Sequence, residues 1–181
     1  VTSYFFLGTD ILLRFELTDK FQINDIGFYI ILGLITGLAS VYFSKVFFAI
    51  TNFFKRFKSR AKRLLIGGLT IGTILYFIPA LYGEGYGIMN NLLQGDHITA
   101  IGKNPFNLDL SNIWIVIILL LGIAIFKAIA MTTTFGAGGV GGVFIPTLVM
   151  GSALGNAFAK IINNVGLDLQ VSESNFTLIG M

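Results

Sequence analysis

The stretch TTTFGAGGVGGVFIPTLVMGSALG, Thr132 to Gly155, holds seven glycines and one proline inside otherwise apolar sequence. A soluble helix interior loses stability at each glycine, and a strand gains little from them. The residues on either side are apolar enough for lipid. The break therefore has to be read as irregular backbone between two membrane helices. Such backbone persists at membrane depth only where protein buries it or a watery cavity lines it.

Composition supports that setting. Of 181 residues, 55% are hydrophobic and 12% charged, against about 25% charged in an average soluble domain. The mean hydropathy is +0.83. This excess suits an all-α polytopic membrane chain. The first residues, VTSYFFLGTDILL, look like the tail of a helix already under way, and the last, NFTLIGM, like the opening of another. The chain thus reads as a single transmembrane piece, 1–181, of a longer protein.

Three apolar runs are long enough to span about 30 Å of hydrocarbon: residues 26–50, 64–83 and 111–131. Lys45 interrupts the first near its end, where its stem can snorkel. Trp114 opens the third at an interfacial position. A short helix over 144–162 follows the glycine-rich break. It is expected to start within the membrane and cross only half of it. Residues 84–110 are more polar, and the apolar piece at 86–93 is too short to span.

Between the first two runs lies TNFFKRFKSRAKR, residues 51–63. Lys55, Arg56, Lys58, Arg60, Lys62 and Arg63 stand there with no acid among them. The positive-inside rule places this loop in the cytoplasm. Nucleic-acid binding is the competing reading of such a run, and its setting between two greasy segments argues against it. Small-xxx-small spacings at Gly33/Gly37, Gly68/Gly72 and Gly151/Gly155 predict close helix packing.

Several chemistries are disfavoured. Residues 136–141, GAGGVG, match the dinucleotide fingerprint in letters, but neither a preceding strand nor an acid at the proper distance accompanies them. Ser152 lacks a G-x-S-x-G frame. The single histidine, His97, sits in a polar segment with no evident carboxylate partner. There is no cysteine, no metal-ligand cluster and no catalytic constellation, so neither an enzyme nor a cofactor is expected.

The glycine-rich break has a more direct physical reading. Pro146 marks the first turn of the helix that follows, where its missing N–H costs nothing. Gly142, Val143, Phe144 and Ile145 then present backbone N–H groups with no intrahelical acceptor. A helix N-terminus carries about half a positive charge and attracts anions. A bare anion in low dielectric faces a penalty of order 20 kcal/mol. Backbone dipoles offset that penalty and still hold the ion weakly enough for release. Glycines 136, 138, 139, 141 and 142 are expected to let the chain bend toward the ion, with Thr132–Gly141 as a flexible approach.

The run Lys127–Gly155, KAIAMTTTFGAGGVGGVFIPTLVMGSALG, resembles the CLC family of chloride channels and proton-coupled chloride transporters. GGVFIP corresponds to the family's G-G-x-F-x-P selectivity element. The basic Lys127, fourteen positions before Gly141, corresponds as well. The order of helices and the YGEGYGIMNNLL segment agree from about residue 26 onward. The resemblance implies that Val143 and Phe144 N–H groups coordinate a chloride ion, with Gly142, Ile145 and Pro146 completing the element and the Phe144 ring lining the pore. It places Lys127 where it raises the local anion potential, whereas the residues alone also allow a snorkelling helix-end lysine.

It further implies a multi-pass protein of the cell membrane, homodimeric at full length, with its gating residues outside this chain. The piece would cover the end of the first inverted half and the start of the second. Ala137 and Val140 depart from the hydroxyl residues often found among the family's glycines. The alternatives are another re-entrant-loop transporter for a neutral or cationic solute, or a purely structural membrane segment.

Overall fold

A computed structural model of the chain describes residues 23–102, 109–165 and 170–181. The apolar tail expected at residues 1–13 lies outside them. The described residues are helical, with no strand among them. The helices are α1 (Ile26–Lys55), α2 (Arg60–Phe77), α3 (Tyr86–Leu93), α4 (His97–Ile101), α5 (Ile113–Ala137), α6 (Phe144–Asn164) and α7 (Glu173–Gly180). A 3-10 turn precedes α1, and another at Pro79–Leu81 follows α2.

Among the described residues, α1, α5 and α6 are long and apolar enough to cross a membrane. The helix expected over 144–162 runs for 21 residues, about 31 Å at the usual rise. By length alone it could cross the hydrocarbon. The run expected at 64–83 instead divides: α2 takes up Arg60–Arg63 at one end and stops at Phe77 at the other. Ile78 is held at φ −129°, ψ 77° because the ring of Pro79 disfavours helical backbone in the residue before it.

The core lies between α5 and α6. Leu120, Ile123, Ala124, Val149, Ala153 and Ala157 are buried there with Met89 and Leu92 of α3. The short helix at 86–93 therefore packs into the bundle. A second cluster joins α1 and α7 to the far part of α6 through Leu32, Ala159, Ile162 and Phe176, with the Tyr29 ring tilted against Phe176 at 4.6 Å. By contrast α1 leaves Leu34, Leu38 and Phe48 exposed, as a helix facing hydrocarbon would.

The glycines divide by role. A Cβ at Gly151 or Gly155 would strike the carbonyls of Gly180 and Phe176, so this pair lets α7 lie directly on α6. Gly33, Gly37, Gly68 and Gly72 meet nothing within 4 Å among the described residues, and their spacing brings no helices together there.

Candidate functional site: the open start of helix α6

Helix α5 continues through the threonines and ends later than its sequence suggests. Thr132 and Thr134 return their hydroxyls to the Ala128 and Ala130 carbonyls at 2.7 and 3.0 Å, which satisfies them inside a helix. Gly136 is the last buried turn of that helix, and the Phe54 ring of α1 occupies the space a Cβ would need. Ala137 closes in the same way on Gly67 of α2.

Thr132–Ala137 is therefore a packed helix end and not a flexible approach, and Gly136 serves contact rather than bending. The true break starts at Gly138, in the left-handed region at φ 106°. Gly138 and Gly139 N–H groups donate to Phe135 and Thr134 carbonyls at 3.0 and 2.9 Å, closing the helix in a Schellman turn.

Helix α6 begins at Phe144 with Val143 as its N-cap, and no side chain caps it. Its first helical bond runs from the Thr147 N–H to the Val143 carbonyl at 3.2 Å. Pro146 is the third residue of the first turn and has no N–H to satisfy. The N–H groups of Gly142, Val143, Phe144 and Ile145 donate to no acceptor among the described residues. Asn112 caps α5, Asp96 caps α4 and Ser172 caps α7, whereas α1, α2 and α3 start without a side-chain cap, as α6 does. The Phe144 ring is exposed.

Lys127 reaches the same region from α5. It is buried, and its Nζ donates to the Leu81 and Gly83 carbonyls at 3.2 and 3.0 Å. Gly83 sits at φ 75° and Gly85 at φ 104°, and a Cβ on Gly85 would approach Lys127 Nζ to 3.7 Å. The turn after α2 is thus shaped around the ammonium, and Lys127 does not snorkel to a surface. No carboxylate lies within ion-pair distance of it among the described residues. Lys127, Thr134, Gly141, Gly142 and Pro146 line one cavity of about 300 Å³. Gly141 and Gly142 of the break, fourteen and fifteen residues from the lysine in sequence, share one space with it.

The other end of α6 carries a polar group that the sequence does not announce. Ser152, Asn156 and Lys160 recur at every fourth position and are all buried. Asn156 Nδ2 donates to the Thr177 hydroxyl at 3.0 Å. Lys160 pairs with Glu173 at 2.5 Å and lies 3.3 Å from His97 Nδ1. His97, which has no evident carboxylate partner in the sequence, is the third member of this cluster. Burial pushes its pKa down from the ordinary 6.5, the Lys160 charge adds to that, and Glu173 opposes it. The i, i+4, i+8 spacing of Ser152, Asn156 and Lys160 was the available signal; their partners, on other helices, left none.

Comparison with known proteins places the geometry in a family. The family model described as "Voltage gated chloride channel" matches residues 1–181, so the likeness also covers the first 25 residues. The chain is 30% identical over 168 residues to the H(+)/Cl(-) exchange transporter ClcA of Yersinia pestis, covering 92% of this chain and 32% of that protein. The ClcA of Vibrio campbellii is 26% identical over 165 residues, 88% of this chain and 31% of that protein. The voltage-gated ClC-type chloride channel ClcB of Citrobacter koseri is 25% identical over 155 residues, 85% and 33% of the two chains. The chain thus spans about a third of the length of these relatives. No solved structure matches it. With a family match along its whole length and an all-helical membrane architecture, the chain belongs to the voltage gated chloride channel family, the CLC proteins.

Proposed function

We propose that this chain forms one wall of a chloride pathway in a CLC-type channel or proton-coupled exchanger, with the start of α6 as its anion-binding element. The observation that carries the reading is the cavity shared by Lys127 and the α6 N-terminus. A buried ammonium needs a counter-charge. Among the described residues Lys127 has two carbonyl acceptors and no carboxylate. An anion in that cavity would supply the missing charge where Gly141, Gly142 and Pro146 line it, and the idle N–H groups of Val143 and Phe144, between Gly142 and Pro146 in the chain, would donate to it.

The division of labour follows from charge. Lys127 sets a positive potential, while the backbone N–H groups fix the ion's position with partial charges. Gly141 and Gly142 carry no side chains, so the ion can reach the backbone closely. A cationic solute fits poorly: Lys127 repels it and already occupies the Leu81 and Gly83 carbonyls. Transport rather than catalysis, a full-length homodimer in the cell membrane and a cytoplasmic face for the basic loop 51–63 belong to the same reading.

Bromide soaked into crystals of the full-length protein tests it. An anomalous peak within hydrogen-bond reach of the Val143 and Phe144 nitrogens, absent in Lys127→Met, supports the assignment. Bromide found only at other helix ends, with this cavity empty at saturating concentration, sinks it.

A further inference from the structure

A second cavity, of about 460 Å³, lies at the α5 terminus and shares no lining residue with the first; Arg60, Ala61, Arg63, Leu64, Ala137 and Gly138 line it. Two guanidinium side chains share it with apolar walls. It sits within a run of six cations and no acid, Lys55 to Arg63. No carboxylate among the described residues comes within ion-pair distance of any of the six. Their charge is therefore not neutralised inside the described fold.

The platform under this cavity is fixed. Phe54 is buried against Gly136 and stacks edge-on with Phe53 at 5.7 Å. Phe57 packs edge-on against Phe53 at 5.2 Å. Arg63 Nε donates to the Phe57 carbonyl at 2.7 Å, which ties the first turn of α2 back across the loop. The guanidinium keeps its other N–H groups for an external acceptor. Beyond Leu64, the α2 surface continues as exposed Leu65 and Leu69. A charged cradle thus opens onto an apolar strip that runs along a helix.

That combination fits one class of ligand. A guanidinium pair matches a phosphate oxygen array in shape and charge. An adjoining apolar helix face suits acyl chains. Clusters of Lys and Arg at the end of a membrane helix attract anionic lipid, each contributing about a fivefold gain in affinity. We propose that Arg60 and Arg63 hold the phosphate head group of an anionic phospholipid, whose chains lie along Leu64, Leu65 and Leu69. Seated against Ala137 and Gly138, this lipid braces the end of α5 where the glycine-rich break begins. The site is separate from the anion cavity and does not depend on that assignment.

Native mass spectrometry of the full-length protein, delipidated and titrated with phosphatidylglycerol or phosphatidylcholine, tests the proposal. Phosphatidylglycerol should be retained, and Arg60→Gln/Arg63→Gln should lower its retention about tenfold or more. Lys58→Gln/Lys62→Gln, which removes the same charge away from the cavity, should have a clearly smaller effect. Equal loss in both double variants would show diffuse attraction and overturn the site. Equal retention of the two lipids by the unaltered protein would overturn it as well. Inorganic phosphate that displaces the lipid completely would reassign the cradle to a free anion and contradict the lipid reading. Since Arg63 also ties the loop to Phe57, Arg60→Gln alone carries the test if the double variant fails to fold.

Discussion

Helix α6 has two ends built on opposite principles. Its C-terminal half is bolted to the rest of the fold: Asn156 to Thr177, Lys160 to Glu173 and His97, and Asn163 Oδ1 to the Val171 N–H at 2.8 Å. Among the described residues its N-terminus has four idle N–H donors, no capping side chain and a lysine without a carboxylate. Both ends hold a buried lysine. One is neutralised by the protein itself, and the other is left for something the protein does not supply. Closure at one end makes openness at the other useful, because N–H groups aimed at an ion must not move when the ion leaves.

The sharpest way to break this contrast is to open the closed end. Glu173→Gln strands the Lys160 ammonium, which is 1% exposed, and should cost roughly 3 kcal/mol, the usual penalty for unpairing a buried charge. Thermal unfolding in detergent reads this as a large drop in Tm. Lys127→Met, which removes a cation with no carboxylate partner among the described residues, should leave Tm unchanged or raise it. A similar fall in both variants would erase the distinction between the two lysines.

A smaller effect tests the backbone contact that supports the closed end. Gly155→Ala drives a methyl group into the Phe176 carbonyl on α7 and should cost about 2 kcal/mol, since the obstacle is backbone and cannot rotate away. Gly33→Ala, in open space on α1, should not destabilise the protein. Equal Tm values for the two variants would mean that the α6–α7 approach contributes nothing.

The smallest effect is titration. His97 resists protonation in the folded protein because burial and then Lys160 disfavour its cation. The folded form is therefore favoured above the ordinary value of 6.5, and stability is lost as pH falls through that value toward the lower folded one. His97→Gln should flatten this part of the Tm–pH curve. An identical curve in the variant would remove His97 from the cluster's energetics.

The contrast was half legible in the sequence. The apolar runs declare the spanning helices, and Pro146 after the paired glycines declares an uncapped helix start, because both signals are local. Gly136 misleads, because a glycine admitting the Phe54 ring looks the same in sequence as one that turns the chain. The bounds of α2 shift because Pro79 overrides an otherwise apolar run. The Lys160–Glu173–His97 cluster was hidden, since His97 lies 63 positions from Lys160 and only the packing of α4 and α7 on α6 brings them together. Lys127 was visible as a charge, but its carbonyl cradle depends on the turn at Gly83 and Gly85.

The central claim is that backbone N–H groups at the start of α6 bind the anion. Calorimetric titration of chloride into full-length Val143→Pro and Val143→Ala isolates it. Both variants lose the valine side chain, and only proline, whose ring suits a φ near the −86° of Val143 and follows the permissive Gly142, also loses the N–H. Val143→Pro should bind chloride about tenfold more weakly than Val143→Ala, the share of one hydrogen bond to a charged ligand. Equal chloride affinity in the two variants would contradict the account.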